Sequence, residues 1–485
     1  MSTKPHTRRW WALFVLAFAQ FITIMDTSIL GVALPDIQQD LGFSQEDLSW
    51  VFNAYVIAFG GVLLLGGRLA DLFGARRMFT VGLSILVGGS LVAGLAETTT
   101  VELVGRAIQG LASGLIGPAA LSMVVALFAH DQGEMTKALG LFGAAAPAGG
   151  TAGVFLGGVL TDTLDWRWTL LINVPLAVAV LAAIPALLPA SERHPSRVDV
   201  LGGVLSSASL GLLVYGIVEA PNVGWGAAQT VAVLAGAAAL LGAFIVHQSK
   251  ARSPLMPLRI FRSGNLSAAS VSLLLLGAAW VPMWFVGNLY LRQVLDMGAF
   301  AAGAALLPMT VLIMVLMVGA TGRILGRFGM KAPLVVGLSL LGVGLGLFGF
   351  VSSDGSYAVD FLGASLVAAA GMSLAYIPAL QTGLASVQPQ ESGLASGILG
   401  TSYQVGAALG LAVLTAIGTS HGADELGNVA RLTNGFQAEF IGAAGIAMAG
   451  ALAALAFVRL HSTGPAEEPP AEEEATEEHE LVAVG

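Results

Sequence analysis

Long apolar stretches alternate with short polar segments along nearly the whole chain. Each stretch is long enough for one membrane-spanning helix, which needs about 20 apolar residues. The predicted spans are 10–34, 48–67, 78–96, 102–129, 137–161, 168–189, 200–218, 228–248, 266–290, 300–322, 332–351, 358–386, 393–418 and 437–458. The pattern therefore predicts an all-α membrane protein with fourteen transmembrane helices.

A ten-residue segment rich in glycine and arginine occurs twice, each time in the connection between two apolar stretches. The copies are GRLADLFGAR at 67–76 and GRILGRFGMK at 322–331, and seven of the ten positions keep their residue type. A repeat 255 residues apart indicates two related halves. We expect a six-helix bundle at 1–190, a linker with two inserted helices at 191–262, a second six-helix bundle at 263–460 and a tail at 461–485.

Composition agrees with a membrane location, because only 11% of the residues are charged, against about 25% in a typical soluble domain. The net charge of -9 comes mainly from eight Glu between 467 and 480, and this acidic tail is expected to be disordered. No nucleic-acid-binding surface is visible, and the absence of Cys excludes disulfides. With the N-terminus in the cytoplasm, 17 of the 21 Lys and Arg fall on that side, so both termini are predicted to be cytoplasmic.

Two ionisable side chains, Asp26 and Arg106, fall inside predicted spans. Burying either group is costly unless it meets water or a partner, so each is a functional hypothesis. Desolvation favours a neutral acid and a nearby Arg favours the carboxylate, which makes Asp26 a candidate proton carrier. The alternatives are a structural ion pair and an Arg106 that extends to the membrane interface. No second acid is expected well inside a span, since Glu219, Asp360 and Glu439 fall at predicted span ends.

Several motifs together resemble the major facilitator superfamily, specifically its fourteen-span drug:proton antiporter group. The segment from Gly67 to Arg77 resembles the superfamily's signature loop, and Asp26 begins a D-x-T-x-x-x-x-A-L-P motif. Arg106 begins R-x-x-Q-G, and a W-R-W segment at 166–168 is followed by N-V-P at 173–175. The resemblance implies the major facilitator fold, with two bundles that rock about a central site.

The resemblance also implies gating residues. The signature segment contributes Gly67, Asp71, Gly74, Arg76 and Arg77, with Asp71 expected at the start of span 13 near Ser392. The basic residues also fit simple topology anchors. The span-5 antiporter motif is matched by Gly149, Gly153, Gly157 and Gly158, but Val154 replaces its Pro. Glycines at every fourth position equally fit close helix packing, and both interpretations stay open.

Aromatic and amide side chains are candidates for the central binding site. In the first half they are Gln20, Asn53, Tyr55 and Gln109, and in the second half Trp280, Trp284, Phe285, Asn288, Tyr376, Tyr403 and Gln404. Such groups suit amphipathic or cationic organic molecules. Some of the Trp and Tyr residues would instead fit the aromatic belts at the membrane surface.

The predicted function is proton-coupled efflux of lipophilic or cationic small molecules by alternating access. The alternative is a proton-coupled symporter or importer of a specific metabolite. A membrane enzyme has little support, since the sequence has no H-E-x-x-H, P-loop or G-x-S-x-G motif and its seven His are scattered. We expect no cofactor and no metal, a small-molecule substrate and protons as partners, a lipid bilayer as environment, a bacterial plasma membrane location and a monomer.

Overall fold

The protein is described by a computed structural model that covers residues 5–43, 48, 50–129, 131–190, 199–251, 254–388, 391–423, 425 and 427–459. Within these residues, fourteen helices are long and apolar enough to cross a membrane, in agreement with the hydropathy pattern. The predicted acidic tail at 461–485 and the polar part of the linker at 191–198 lie outside the described residues.

The helices follow one another with short connections. The first six are α1 (Pro5–Leu41), α2 (Trp50–Phe73), α3 (Ala75–Gly94), α4 (Thr99–Phe128), α5 (Gln132–Thr163) and α6 (Arg167–Leu187). Two further helices follow, α7 (Val200–Val223) and α8 (Ala228–Lys250). The last six are α9 (Gly264–Gln293), α10 (Ala301–Phe328), α11 (Lys331–Phe350), α12 (Tyr357–Leu384), α13 (Ser392–Ser420) and α14 (Val429–Phe457).

Packing is densest within each set of six helices. In the first set α1 packs on α5, and α4 packs on both α2 and α3; in the second set α9 packs on α13 and α11 packs on α12. Helix α7 packs on α2 and also touches α13, so the inserted pair is attached to the rest of the protein mainly through one helix. The division at 190 and 262 stays a prediction.

The repeated glycine- and arginine-rich segment is mostly helical, which corrects its interpretation as a loop. Helix α2 continues to Phe73, and only Gly74, with φ 92°, separates it from α3. In the second copy α10 ends at Phe328, and Gly329 has φ 69°. A side chain is disfavoured at such positive φ values, so one glycine makes each sharp turn possible.

Candidate functional site

A fully buried ion pair lies inside the first half. Arg106 Nη1 on α4 donates to Asp26 Oδ2 on α1 at 2.9 Å, and both side chains are 0% exposed. Gln109 Nε2 donates to Asp26 Oδ1 at 3.0 Å, and Asn173 Nδ2 on α6 donates to the same oxygen. Since every partner of Asp26 is a donor, the geometry is that of a carboxylate stabilised by hydrogen bonds and one positive charge.

Arg106 is held by further contacts from the same half. Its Nε donates to the carbonyl oxygen of Val51 at 3.1 Å, and its Nη1 also donates to Gln109 Oε1 at 2.6 Å. The guanidinium carbon lies 4.7 Å from the centre of the Tyr55 ring, a cation–π arrangement. Gln109 Nε2 also donates to Ser90 Oγ on α3 at 2.8 Å. Five helices of one half therefore fix the orientation of the pair.

The expectation that Asp26 is the only acid well inside a span is wrong for Glu439, in the interior of α14, and Glu102, in the first turn of α4, is a further buried acid. Glu102 and Glu439 lie within α4 and α14, and their exposed fractions are 0% and 4%. Glu102 lies one helical turn before Arg106, and neither of its carboxyl oxygens has a hydrogen-bond partner among the described residues. Arg106 Nη2 is likewise without a partner there. One turn of α4 therefore carries an acid and a base that each have unused hydrogen-bonding capacity.

A surface cluster lies beyond Glu102, at the end of the bundle where α1 leads toward α2. Arg167 Nη2 contacts Asp40 Oδ2 at 2.7 Å and donates to the Ala96 carbonyl at 3.3 Å, in the turn before α4. Trp166 Nε1 donates to Asp40 Oδ2 at 3.1 Å. This Trp166 hydrogen bond and the Arg167 charge together hold the pKa of Asp40 below its ordinary value.

The glycine face of α5 packs directly on α1, next to the ion pair. Cβ atoms on Gly149, Gly153 or Gly157 would collide with backbone atoms of α1; that of Gly153 would come 2.8 Å from the Met25 carbonyl oxygen. Gly158 has no atom within 4 Å of such a Cβ and does not take part. The three glycines therefore act in close helix packing, and a separate gating role stays a prediction.

The two halves touch at the end of the bundle where α2 leads into α3. Asp71 Oδ1 accepts a hydrogen bond from the Gly393 amide at 2.9 Å, and Oδ2 accepts one from the Leu394 amide at 2.8 Å. The hydroxyl groups of Ser122 and Ser392 lie 3.1 Å apart beside this contact. A carboxylate at the first turn of α13 satisfies amides that have no partner within the helix. The contact expected for Asp71 is therefore present.

The other residues of the signature segment have different surroundings. A Cβ on Gly67 would lie 3.1 Å from the Gly397 Cα, so α2 and α13 approach closely there. Arg76 is half-buried and Arg77 is exposed. Gly326, at the position equivalent to Asp71 in the second copy, has nothing within 4 Å of its Cβ position. The acid-to-amide contact therefore belongs to the first copy.

Helix α5 connects the halves at three further levels. Gln381 Nε2 donates to Thr136 Oγ1 at 2.7 Å, and the hydroxyl groups of Thr151 and Thr310 lie 2.6 Å apart. Val154 stands where the span-5 motif has Pro. It packs close to Gly303 on α10, since a Cβ added at Gly303 would lie 3.0 Å from Val154 Cγ1. The departure from the motif therefore falls at a contact between the two halves.

The predicted binding-site residues separate into two groups. In the second half, the rings of Tyr376 and Tyr403 lie 5.9 Å apart and nearly perpendicular, and those of Trp280 and Trp284 lie 6.4 Å apart. Phe285 is 51% exposed. Gln20, Asn288 and Gln404 are half-buried. Their contact with a substrate stays a prediction.

In the first half, two predicted binding residues belong to the ion-pair site. Tyr55 and Gln109 are buried and contact Arg106, while Asn53 is buried and forms no hydrogen bond with Asp26 or Arg106 among the described residues. Sequence reasoning missed Glu102 and Asn173. Asn173 has a usable signal, because it opens the N-V-P motif, whereas Glu102 falls at the first residue of a predicted span, where an acid is ordinary.

The two sets of six packed helices meet where Asp71 of α2 contacts α13, and the first set contains a buried ion pair. This arrangement is that of a multi-span membrane transporter. The profile of the Major Facilitator Superfamily matches residues 16–411, and the chain belongs to this family. It is 35% identical over 437 residues to the cephamycin export protein CmcT of Amycolatopsis lactamdurans, covering 89% of each chain. It is 33% identical over 474 residues to the puromycin resistance protein pur8 of Streptomyces alboniger, covering 94% of this chain and 92% of the relative.

Solved structures share the fold at low sequence identity. The proton:xylose symporter XylE aligns with a TM-score of 0.67 at 12% identity, over 94% of this chain and 97% of XylE. This likeness confirms the major facilitator fold and carries no information about substrate.

Proposed function

We propose that the protein exports amphipathic organic molecules, antibiotics among them, in exchange for protons. The names of CmcT and pur8 refer to export of, or resistance to, such compounds, and both relatives align over nearly their whole length. The paired aromatic rings of α9, α12 and α13 supply flat apolar surfaces with few charges, which suit molecules of this kind.

The buried Asp26–Arg106 pair is the observation that supports proton coupling most directly. A carboxylate without contact to water is tolerated only while Arg106, Gln109 and Asn173 stabilise its charge. Uptake of a proton removes the attraction to Arg106 and frees the guanidinium to move. One protonation event thus biases the packing of α1 against α4, and that packing change is what a proton-driven cycle requires.

The contacts of Asp71 with α13 support a gate at the end where α2 leads into α3. We propose that this end faces the cytoplasm, because the Lys and Arg residues are concentrated there, and that both termini lie on the same side. The protein then acts as a monomeric, secondary active carrier in a bacterial plasma membrane, with the proton gradient as its energy source. The six-two-six division of the helices gives the two lobes that rock.

Symport of a metabolite is the second candidate. Val154 replaces the Pro of the span-5 motif at a contact with α10, which leaves the direction of coupling to be measured. The two functions differ in sign: an antiporter concentrates its substrate on the acidic side of the membrane, and a symporter concentrates it on the alkaline side.

Transport in proteoliposomes with an imposed pH gradient tests the proposal. Puromycin and a cephamycin are the probes, and at least one should accumulate in an acidic lumen. With Asp26→Asn we expect equilibration of the probe without accumulation, because the variant cannot exchange the proton. Asp36→Asn is the matched control, since Asp36 is an exposed acid on the same helix. Accumulation by Asp26→Asn at the wild-type level would overturn the assignment of Asp26, and failure to move any probe would overturn the substrate class.

A further inference from the structure

Glu102 is a buried acid that the proposed coupling through Asp26 does not use. The side chain is 0% exposed and its two oxygens are without hydrogen-bond partners among the described residues. A simple helix-capping role does not explain it. Thr98 is the residue that caps α4, through a hydrogen bond from the Val101 amide at 3.4 Å. An acid that only favoured the helix N-terminus would contact a free amide or water.

Charge balance assigns a protonation state to the site. The charged groups that act on Glu102 are Arg106 on its own helix, Asp26 on α1 and Arg167 at the start of α6. Arg167 is engaged with Asp40 and is partly exposed. The buried set therefore comprises two acids and one base, and it is neutral when it holds one proton. Asp26 receives three donors and Glu102 receives none, so the proton in this geometry belongs on Glu102, since an unpaired buried carboxylate is strongly disfavoured.

The spacing of Glu102 and Arg106 along α4 allows these two side chains to pair with each other. Residues four apart lie on one helix face, about 5–6 Å apart at Cβ, and Arg106 Nη2 has no partner that competes for Glu102. Glu102 also lies between the buried pair and the surface cluster of Asp40 and Arg167, because Arg167 reaches the Ala96 carbonyl just before α4.

We propose that Glu102 is a second proton-binding site, which holds the proton while Asp26 pairs with Arg106. In the transfer step the O–H bond of Glu102 breaks and an O–H bond forms on Asp26. Arg106 keeps all its protons and changes its partner from the Asp26 carboxylate to the Glu102 carboxylate. The net charge of the buried set does not change. Glu102 thereby links Asp26 to the end of the bundle that carries Asp40. This inference deepens the proposed proton coupling and rests on it.

Infrared difference spectroscopy of the purified protein in lipid tests the proposal without any substrate. Protonated carboxylic acids absorb separately from carboxylates, and subtracting a variant spectrum from that of the wild type cancels all other acids. At neutral pH, Glu102→Gln should remove the signal of one protonated acid. The control Glu97→Gln, which changes an exposed acid in the turn before α4, should remove none. A wild-type signal unaffected by Glu102→Gln overturns the proposal.

Asp26→Asn provides a second measurement that does not depend on folding of the Glu102 variant. Asp26 is a carboxylate in this geometry, so its replacement removes no protonated acid directly. We nevertheless expect the variant to lose the signal of one protonated acid, because Arg106 then pairs with Glu102, and Glu102 releases its proton. The signal should return on acidification. If Asp26→Asn leaves the protonated-acid signal unchanged at neutral pH, no exchange of partners occurs and the proposal fails.

Transport separates this inference from the proposed function. With the probe that the wild type accumulates, Glu102→Gln should lower uphill accumulation at least tenfold and retain exchange of internal for external probe. Unchanged accumulation and an unchanged pH profile in Glu102→Gln, with accumulation lost in Asp26→Asn, would overturn the role of Glu102 alone. Full accumulation in Asp26→Asn would overturn the coupling itself, whatever the spectra of Glu102 show.

Discussion

The contact of Asp71 with the first turn of α13 predicts how strongly one end of the protein is held closed. The two carboxylate oxygens accept from the Gly393 and Leu394 amides at 2.9 and 2.8 Å. Asp71→Asn keeps the size of the side chain. It removes the charge, and it turns an amide N–H toward one of the two backbone donors. The closed arrangement loses one hydrogen bond and weakens the other.

The size of the effect follows from the two hydrogen bonds. A hydrogen bond to a charged group contributes about 1.5–3 kcal/mol, and a neutral one about 1 kcal/mol. Replacing two of the first kind by one of the second destabilises the closed end by about 2–5 kcal/mol. Even the lower figure raises the open-to-closed ratio at this end by ~30-fold, because 1.4 kcal/mol corresponds to a tenfold change.

The natural chain contains no Cys, so a single introduced thiol can report this opening. Ser122 lies in the closed contact, with its hydroxyl 3.1 Å from that of Ser392. In the Ser122→Cys background, labelling by a membrane-impermeant maleimide should be at least tenfold faster with Asp71→Asn than without it. The matched control is Asp354→Asn, which changes an exposed acid away from both halves' contact. Equal labelling rates for Asp71→Asn and Asp354→Asn would refute the role of the Asp71 contact in holding this end closed.

Two further predictions use contacts elsewhere in the fold. Gly67→Ala should speed the same labelling, since its Cβ would collide with the Gly393 carbonyl oxygen and lie 3.1 Å from the Gly397 Cα, whereas Gly322→Ala in the second copy should not, because its nearest atom lies at 3.7 Å; similar rates for the two variants would contradict this. Burial raises the pKa of Asp199, but hydrogen bonds from His247, Gln248 and two backbone amides outweigh it and lower the pKa below its ordinary value. Asp199→Asn should therefore lower Tm at neutral pH, because the amide oxygen keeps the N-cap while hydrogen bonds to a charged acceptor, each worth about 1.5–3 kcal/mol, become neutral ones worth about 1 kcal/mol, and the difference in Tm from the wild type should shrink as the pH falls below about 4; a difference that does not depend on pH would contradict the role of the charge.

Hydropathy was sufficient for the fold because the number of long apolar runs maps directly onto helices that cross a bilayer. It failed at helix ends. The segment from Gly67 to Phe73 is polar enough to be read as a loop, yet its backbone continues α2 because it packs on α13. Motif resemblance located Asp26 and Arg106. The pairing of these two residues, and its support by Gln109, depends on the packing of α1 on α4 and could only be found in three dimensions.

The inner acids show the limit of reading burial from position in a span. Glu102 lies in the first turn of α4, where an acid usually reaches water, but the surrounding protein covers it completely. Glu439 is a similar case on α14. Sequence position along a helix therefore does not by itself give the exposure of a side chain.

The ion pair, its supporting residues and Glu102 all come from the first half, while most of the aromatic candidates for binding come from the second. On the proposed function, energy conversion and chemical recognition would therefore reside on different lobes. A protein built this way can acquire a new antibiotic as substrate through replacement of aromatic side chains on one lobe, while the proton-coupling residues on the other lobe stay unchanged.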